Sequence, residues 1–392
     1  MDGGANVMRR TLRAPAALDG IGLFTAAAGR VRMVPAEPGT GIRFARVDVD
    51  PSRRIPALVT HVFVDPRLPG RNTSVIADPS RAAANDNPAT ATIEHVMSAL
   101  AGLRVTDGVV EGEGPGAPIL DGSAGPVVGA SLAAGLCDVG LAPAARVLDR
   151  VIVVGEAPGP TITLEPSART EFEYRLDYAG DSLPEQRASF VMDAPGSAEE
   201  YACAIAPART FCLVREAEML RQAGLFKHVT TRQMLVVGAD GRPIDNEWRM
   251  EHEAARHKLL DLVGDLALAG VDVRCRVRSD RGGHALNARG ASVLRNRAGA
   301  DARKPTDAMK TRRQEPGGPG RRPWGRRPVL GTPVKKNVAT AAGSGGRVEE
   351  QGTPYPARDA RRLSAAGRRF LFLSFPDGLS QHPPSKALAN AS

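Results

Sequence analysis

The 392-residue sequence predicts an α+β fold made of two layered units of similar design, packed against each other and followed by a segment of different character. Three observations predict it. Strand-like runs precede helical patterns in residues 1–143, the same order recurs in residues 146–294, and from about Arg295 the composition turns to Arg, Pro, Gly and Ser.

In the first unit, Arg30–Val34, Ile42–Val49 and Ala57–Val64 read as strands punctuated by Pro and Gly turns. A helix is expected over Ile93–Leu103, with Thr92 placed to cap it. A second helix runs from Pro126, suited to a first turn, to Leu136, with Gly135 near its end. Ala142-Pro143-Ala144-Ala145 forms the linker.

The second unit opens on strands. Phe172, Tyr174, Leu176 and Tyr178 alternate along Glu171–Tyr178, the period of a strand with one buried face. A helix over Arg215–Ala223 stops at Gly224, and a longer one over Glu253–Ala269 stops at Gly270. Val271, Val273, Cys275 and Val277 then alternate as another strand. No sequence repeat relates the two units.

Residues 295–392 hold only one short apolar run, Phe370–Phe375, which cannot offset the entropy of ordering the chain, so this tail is expected to be disordered. The tail also carries the basicity. It has 20 Lys and Arg against 7 Asp and Glu, a balance of +13 within a whole-chain charge of +9, which leaves residues 1–294 at −4. Nucleic acid is therefore not the expected partner of the folded part, although the tail could touch anionic lipid or RNA. Cys137, Cys203, Cys212 and Cys275 are scattered without a CxxC pair and read as thiols in a reducing compartment. No apolar run reaches 18 residues and no secretory signal is visible, so the expectation is a cytoplasmic protein with no membrane span.

The chemistry concentrates on the long helix, where His257, Asp261 and Asp265 follow at steps of four and share one stripe. Alone, such a stripe reads as a solvated face with i,i+4 pairs. Here Leu259, Leu260, Leu262, Val263, Leu266 and Leu268 surround it, and a buried charge must be paired or bind metal. Lys258 on the same helix could neutralise a carboxylate or polarise a substrate. Glu94-His95 opens another helix and adds an imidazole with a carboxylate beside it. His284 follows two glycines at a strand-to-helix turn, on what reads as an exposed tight loop, and Thr210 in Ala208-Arg209-Thr210-Phe211 offers a hydroxyl to a developing oxyanion. Two histidines and a carboxylate suit a hydrolytic metal site and also form the facial triad of a non-haem Fe(II) oxygenase, but the adjacent Glu94 favours hydrolysis.

Taken in order, these segments resemble the zinc-dependent UDP-3-O-acyl-N-acetylglucosamine deacetylases of lipid A biosynthesis. Asp19-Gly20-Ile21-Gly22-Leu23, Pro118-Ile119-Leu120-Asp121-Gly122-Ser123-Ala124 and Gly264-Asp265-Leu266 agree as well, over about residues 12–290. The resemblance implies an active site between two α+β domains and a UDP-linked acylated glucosamine as substrate. It implies His95, His257 and Asp261 as ligands of Zn²⁺, with Fe²⁺ the alternative ion, and Glu94 as the general base acting on zinc-activated water. It further implies His284, kept protonated partly by Asp265, as oxyanion stabiliser or general acid, with Lys258 and Thr210 assisting and Phe211 and Lys258 touching substrate. Phe24 stands where the family has a histidine, Ala26-Ala27-Ala28-Gly29 replaces a Ser/Thr-Gly turn, and Leu225–Gln233 replaces a glycine-rich stretch beside the acyl-chain passage. The tail has no counterpart, and an out-of-frame reading from near Arg289 would produce it. The alternatives to a working deacetylase are a catalytically impaired homologue and a binding protein acting through the basic tail.

Overall fold

A computed structural model describes residues 7–64, 71–84, 86–178, 180 and 182–301, and residues 302–392, most of the basic tail, lie outside the described residues. In chain order the elements are β1 (Met8–Leu12), β2 (Ala16–Ile21), β3 (Ala28–Pro35), β4 (Ile42–Arg46), β5 (Ile55–Pro56), β6 (Ser74–Ile76), β7 (Ala89–Ala91), α1 (Glu94–Gly102), β8 (Gly108–Glu113), α2 (Gly125–Ala134) and β9 (Leu136–Leu141). There follow β10 (Arg146–Val147), β11 (Ile152–Gly155), β12 (Thr161–Pro166), β13 (Glu171–Leu176), β14 (Gln186–Val191), α3 (Ser197–Glu200), β15 (Phe211–Leu213), α4 (Val214–Gln222), β16 (Leu235–Val237), α5 (Glu253–Ala267), β17 (Val273–Asp280) and α6 (His284–Asp301).

Two principal sheets share one topology. The first runs β2-β3-β8-β4-β5 and the second β11-β12-β17-β13-β14, with β10 also on β17. In each, the last strand in sequence is inserted at the centre, antiparallel to one neighbour and parallel to the other. Both inner faces follow the strand period. Val31 and Met33 of β3 are buried, as are Phe172, Tyr174 and Leu176 of β13. Between the sheets lie the helices: α2 packs on β2, α5 on β13 and β14, and α1 runs against α5. The architecture is therefore the layered α+β fold that the alternation predicts.

Helices α1 and α5 approach closely because Gly264 faces Glu94. A Cβ at Gly264 would fall 2.2 Å from the Glu94 carbonyl oxygen and 3.0 Å from the Ser98 nitrogen, both backbone atoms. The Ser98 hydroxyl closes the same junction by donating to the Leu260 carbonyl at 2.6 Å. All but three residues of α5 are buried, so its stripe of charge faces protein and not solvent.

Several boundaries differ from the sequence expectation. Ala57–Val64 is not a strand: β5 ends at Pro56, and the chain curls into a 3₁₀ turn at Val59–His61 while the Val59 N–H donates to Leu268 O at 2.7 Å. Thr92 does not cap α1. Its backbone is left-handed, at φ +57°, and Ile93 occupies the cap position without a side-chain bond. The left-handed turn takes Thr92 out of the extended conformation that a capping residue adopts, and the Ile93 N–H is met by the Thr73 carbonyl at 3.1 Å. Helix α2 stops before Gly135, at φ +77°, so that Leu136 begins β9. At the other end, α6 continues past Arg295 to Asp301, with Ala291 and Leu294 buried.

Candidate metal centre and active site

The two helices that meet at Gly264 bring His95, His257 and Asp261 together, all buried, with one ligand atom from each lying within 4.8 Å of the others. Asp261 Oδ1 is 3.7 Å from His95 Nε2 and 3.6 Å from His257 Nε2. Those separations are too long for hydrogen bonds. Among the described residues Asp261 Oδ1 is buried with no hydrogen-bond partner.

Burial, and for His95 also the neighbouring His257, pushes both imidazoles toward the neutral form; His95 falls to about 3. The His257 Nδ1 faces the Ala208 carbonyl at 3.1 Å, which assigns the proton to Nδ1 and leaves the Nε2 lone pair directed at Asp261. Burial works against the charge of Asp261, but Lys258 and the surrounding imidazoles outweigh it and hold the carboxyl far below its usual range. Lys258 Nζ donates to the other oxygen, Oδ2, at 2.8 Å. Two lone pairs and an unpartnered carboxylate oxygen aimed at one point fit a divalent cation.

Beside this triad stand an acid and a base. Glu94 is buried, and desolvation lifts its carboxyl to about 7 against the influence of His284. Its Oε2 accepts the Thr73 N–H at 3.0 Å. His284 opens α6 and is largely enclosed, not on the exposed loop expected. Burial alone would lower it; the Asp265 carboxylate, 2.8 Å from Nδ1, reverses that and raises it to about 9. Asn287 Nδ2 also donates to Asp265 Oδ2 at 2.9 Å, and the Thr73 hydroxyl donates to Oδ1 at 2.5 Å. The turn ahead of His284 is held by the Tyr174 hydroxyl, which donates to Gly282 O at 2.5 Å. Both groups are pushed upward, Glu94 to about 7 and His284 to about 9, so near neutral pH the carboxyl can still take up a proton while the imidazolium holds one to give.

The strip from Ala208 to Phe211 borders the triad. The Phe211 ring lies edge-on to His257 with centroids 6.4 Å apart, and Thr210 sits between it and Ala208. Its backbone is fixed by an N–H bond to Gly122 O at 2.7 Å and by Arg209, whose guanidinium is tied to Glu253 at the start of α5. Thr73, Asn287, Tyr174 and the Arg209–Glu253 pair escaped the sequence analysis. An acid in the first turn of α5 was the one available signal for Glu253, and it reads equally as a dipole partner.

A two-histidine, one-aspartate cluster with a carboxyl poised near neutrality on one side and a charged imidazole on the other defines the class: an enzyme able to use a divalent cation in hydrolysis. Residues 9–296 match the family model of UDP-3-O-acyl N-acetylglycosamine deacetylase, and the chain belongs to that family. It is 33% identical over 281 residues to the UDP-3-O-acyl-N-acetylglucosamine deacetylase of Geobacter sp. (strain M21), covering 72% of this chain and 87% of the relative. The proteins of the same name from Brucella melitensis biotype 2 and Nostoc sp. are 32% and 31% identical over 292 and 290 residues. Those alignments cover 74% and 71% of this chain, and 96% and 95% of the respective relatives. The match ends at residue 296, and residues 297–392 lie outside it. Family membership also implies a catalytic metal, for which His95, His257 and Asp261 form a fitting site. Among the described residues no helix is long and apolar enough to cross a membrane.

Proposed function

We propose that this chain is a cytoplasmic zinc-dependent deacetylase that removes acetate from UDP-3-O-acyl-N-acetylglucosamine in lipid A biosynthesis. The observation that carries the reading is the buried, unpartnered Asp261 Oδ1 facing two neutral imidazoles, with Glu94 and His284 at its sides. His95, His257 and Asp261 would hold Zn²⁺, or Fe²⁺ in its place, leaving a position open to ligands as catalytic sites do. When bound, the ion supplies Lewis acidity to the amide carbonyl and acidifies water.

The remaining steps fall to side chains. Glu94, oriented by the Thr73 N–H on Oε2, takes the proton of the attacking water. As the new C–O bond forms, the Thr210 hydroxyl and Lys258 Nζ stabilise the oxyanion, each donor contributing on the order of 3 kcal/mol. His284 is oriented through Nδ1 by Asp265, and its Nε2 proton passes to the departing nitrogen as the C–N bond breaks, giving acetate and the free amine. Phe211 and Lys258 contact the sugar nucleotide. Residues 1–143 and 146–294 serve as two domains with this site between them, each supplying part of it. Membership in the deacetylase family favours this reading over the Fe(II) oxygenase.

The test is a deacetylation assay on UDP-3-O-acyl-N-acetylglucosamine with parallel metal analysis. Wild-type protein should bind one Zn²⁺ and release acetate, Glu94→Ala should keep the metal and lose turnover, and His257→Ala should lose both. Metal retained by His257→Ala at the wild-type level would exclude the assigned ligands, and undiminished turnover in Glu94→Ala would exclude the base.

A further inference from the structure

We propose that Thr73 is a positioning residue that ties the general base to the acid side of the site; the proposal rests on the deacetylase reading above. Thr73 is 4% exposed and immediately precedes β6. All three of its polar groups are committed to this junction. The N–H donates to Glu94 Oε2 at 3.0 Å, and the carbonyl accepts from Ile93 N–H, one residue ahead of Glu94, at 3.1 Å. The hydroxyl donates to Asp265 Oδ1 at 2.5 Å, across 192 residues of sequence.

The direction of that last bond follows from proton counting. The hydroxyl also lies 3.3 Å from His284 Nδ1, but it has one proton to give. His284 uses its Nδ1 proton on Asp265 Oδ2 at 2.8 Å, so Nδ1 cannot accept, and the hydroxyl proton goes to the carboxylate. Asp265 is then gripped on both oxygens, by Thr73 on Oδ1 and by His284 and Asn287 on Oδ2. Such a grip fixes the carboxylate plane, and with it the ring of His284 and the aim of Nε2. Glu94 on α1 and Asp265 on α5 thus share one small residue whose hydrogen bonds go to none of the three proposed metal ligands. A valine would keep the shape and both backbone bonds yet leave Asp265 Oδ1 buried without its donor.

The experiment compares full-length wild type, Thr73→Val, Thr73→Ala and Thr73→Ser, each loaded with Zn²⁺. Thr73→Val and Thr73→Ala should lower kcat about 10- to 100-fold with little change in KM or metal content, and Thr73→Ser should restore most of the rate. In an Asp265→Asn background Thr73→Val should cost nothing further, because the two act as one unit. The His284 Nδ1–H resonance, seen by ¹⁵N-edited NMR of the same proteins, should shift or exchange faster in the Val and Ala variants and recover in Ser. Unchanged kcat and resonance in Thr73→Val, equal loss in Thr73→Ser, or additive loss with Asp265→Asn would each overturn the proposal. Absence of turnover in wild type would instead defeat the deacetylase reading, and the resonance would still decide whether Thr73 holds the pair.

Discussion

Replacing Glu253 by alanine should destabilise the protein more than almost any other single change outside the metal cluster. Arg209 and Glu253 form the most deeply buried arginine–carboxylate pair among the described residues, with side chains 5% and 0% exposed. The carboxylate accepts from Arg209 N–H at 3.1 Å, Nε at 2.8 Å, Nη2 at 3.0 Å and Arg249 N–H at 2.7 Å. In Glu253→Ala the guanidinium would keep Asn246 Oδ1 and the Glu247 carbonyl but would stay buried without a counter-charge. Breaking a buried pair from one side costs about 3–5 kcal/mol, a large share of the roughly 5–15 kcal/mol that holds a typical protein folded. Arg209 anchors the strip whose Ala208 carbonyl orients His257, so Zn²⁺ affinity should fall as well, about 10- to 100-fold. Urea unfolding without added metal isolates the first effect from stabilisation by the ion. The double variant Arg209→Met/Glu253→Leu should lose less than Glu253→Ala alone, because no uncompensated charge remains. A loss under about 1 kcal/mol in Glu253→Ala, or a double variant less stable than the sum of its singles, would refute this account of the pair.

Two further outcomes follow from close contacts elsewhere. Gly264→Ala would put a methyl 2.2 Å from the Glu94 carbonyl oxygen, so α1 and α5 must separate; thermal unfolding should report a loss of about 1–3 kcal/mol, and an unchanged midpoint would mean the helices do not meet there. Asp107 is buried and accepts the N–H groups of Gly39 and Gly41 at 2.8 and 2.9 Å and the Arg9 guanidinium at 2.9 Å. Burial works to raise its carboxyl, but the Gly41 N–H, the Thr106 hydroxyl and Arg9 outweigh it and hold it below the ordinary 3.8. Its contribution is therefore complete above 3.8 and fades as pH falls through the lower folded value. The stability gap between wild type and Asp107→Asn in urea titrations should be constant near neutrality and close only below that point; a gap already closing at pH 6 would contradict the shift.

What could be read ahead of the structure was whatever a short stretch of chain encodes by itself. The spacing of His257, Asp261 and Asp265 places three groups on one helical face, and the leucines around them imply burial; both follow from a 3.6-residue period. Adjacency delivered Glu94 with His95 for the same reason. Thr73 and Glu253 could not be read this way, since each is defined by a partner 192 or 44 residues distant, and nothing local distinguishes a threonine that bridges two carboxylates from one that faces water. The failed cap at Thr92 belongs with them, for its left-handed backbone and the Thr73 carbonyl that meets the next N–H are set by distant chain. The shared sheet topology is hidden for a different reason. Which face a strand buries is set by alternation, which any apolar residue supplies, so β2-β3-β8-β4-β5 and β11-β12-β17-β13-β14 can share one topology without sharing a residue pattern. That freedom stops at the helices between the sheets. In each half the helix that precedes the central strand, α1 before β8 and α5 before β17, carries one histidine of the cluster, His95 or His257, and the two helices meet where Gly264 lets backbones touch. The proposed site would thus stand where topologically equivalent helices converge, and the asymmetry of its proposed chemistry, Glu94 on α1 against Asp265 and its partner His284 on α5 and α6, is what a shared strand order leaves free to differ.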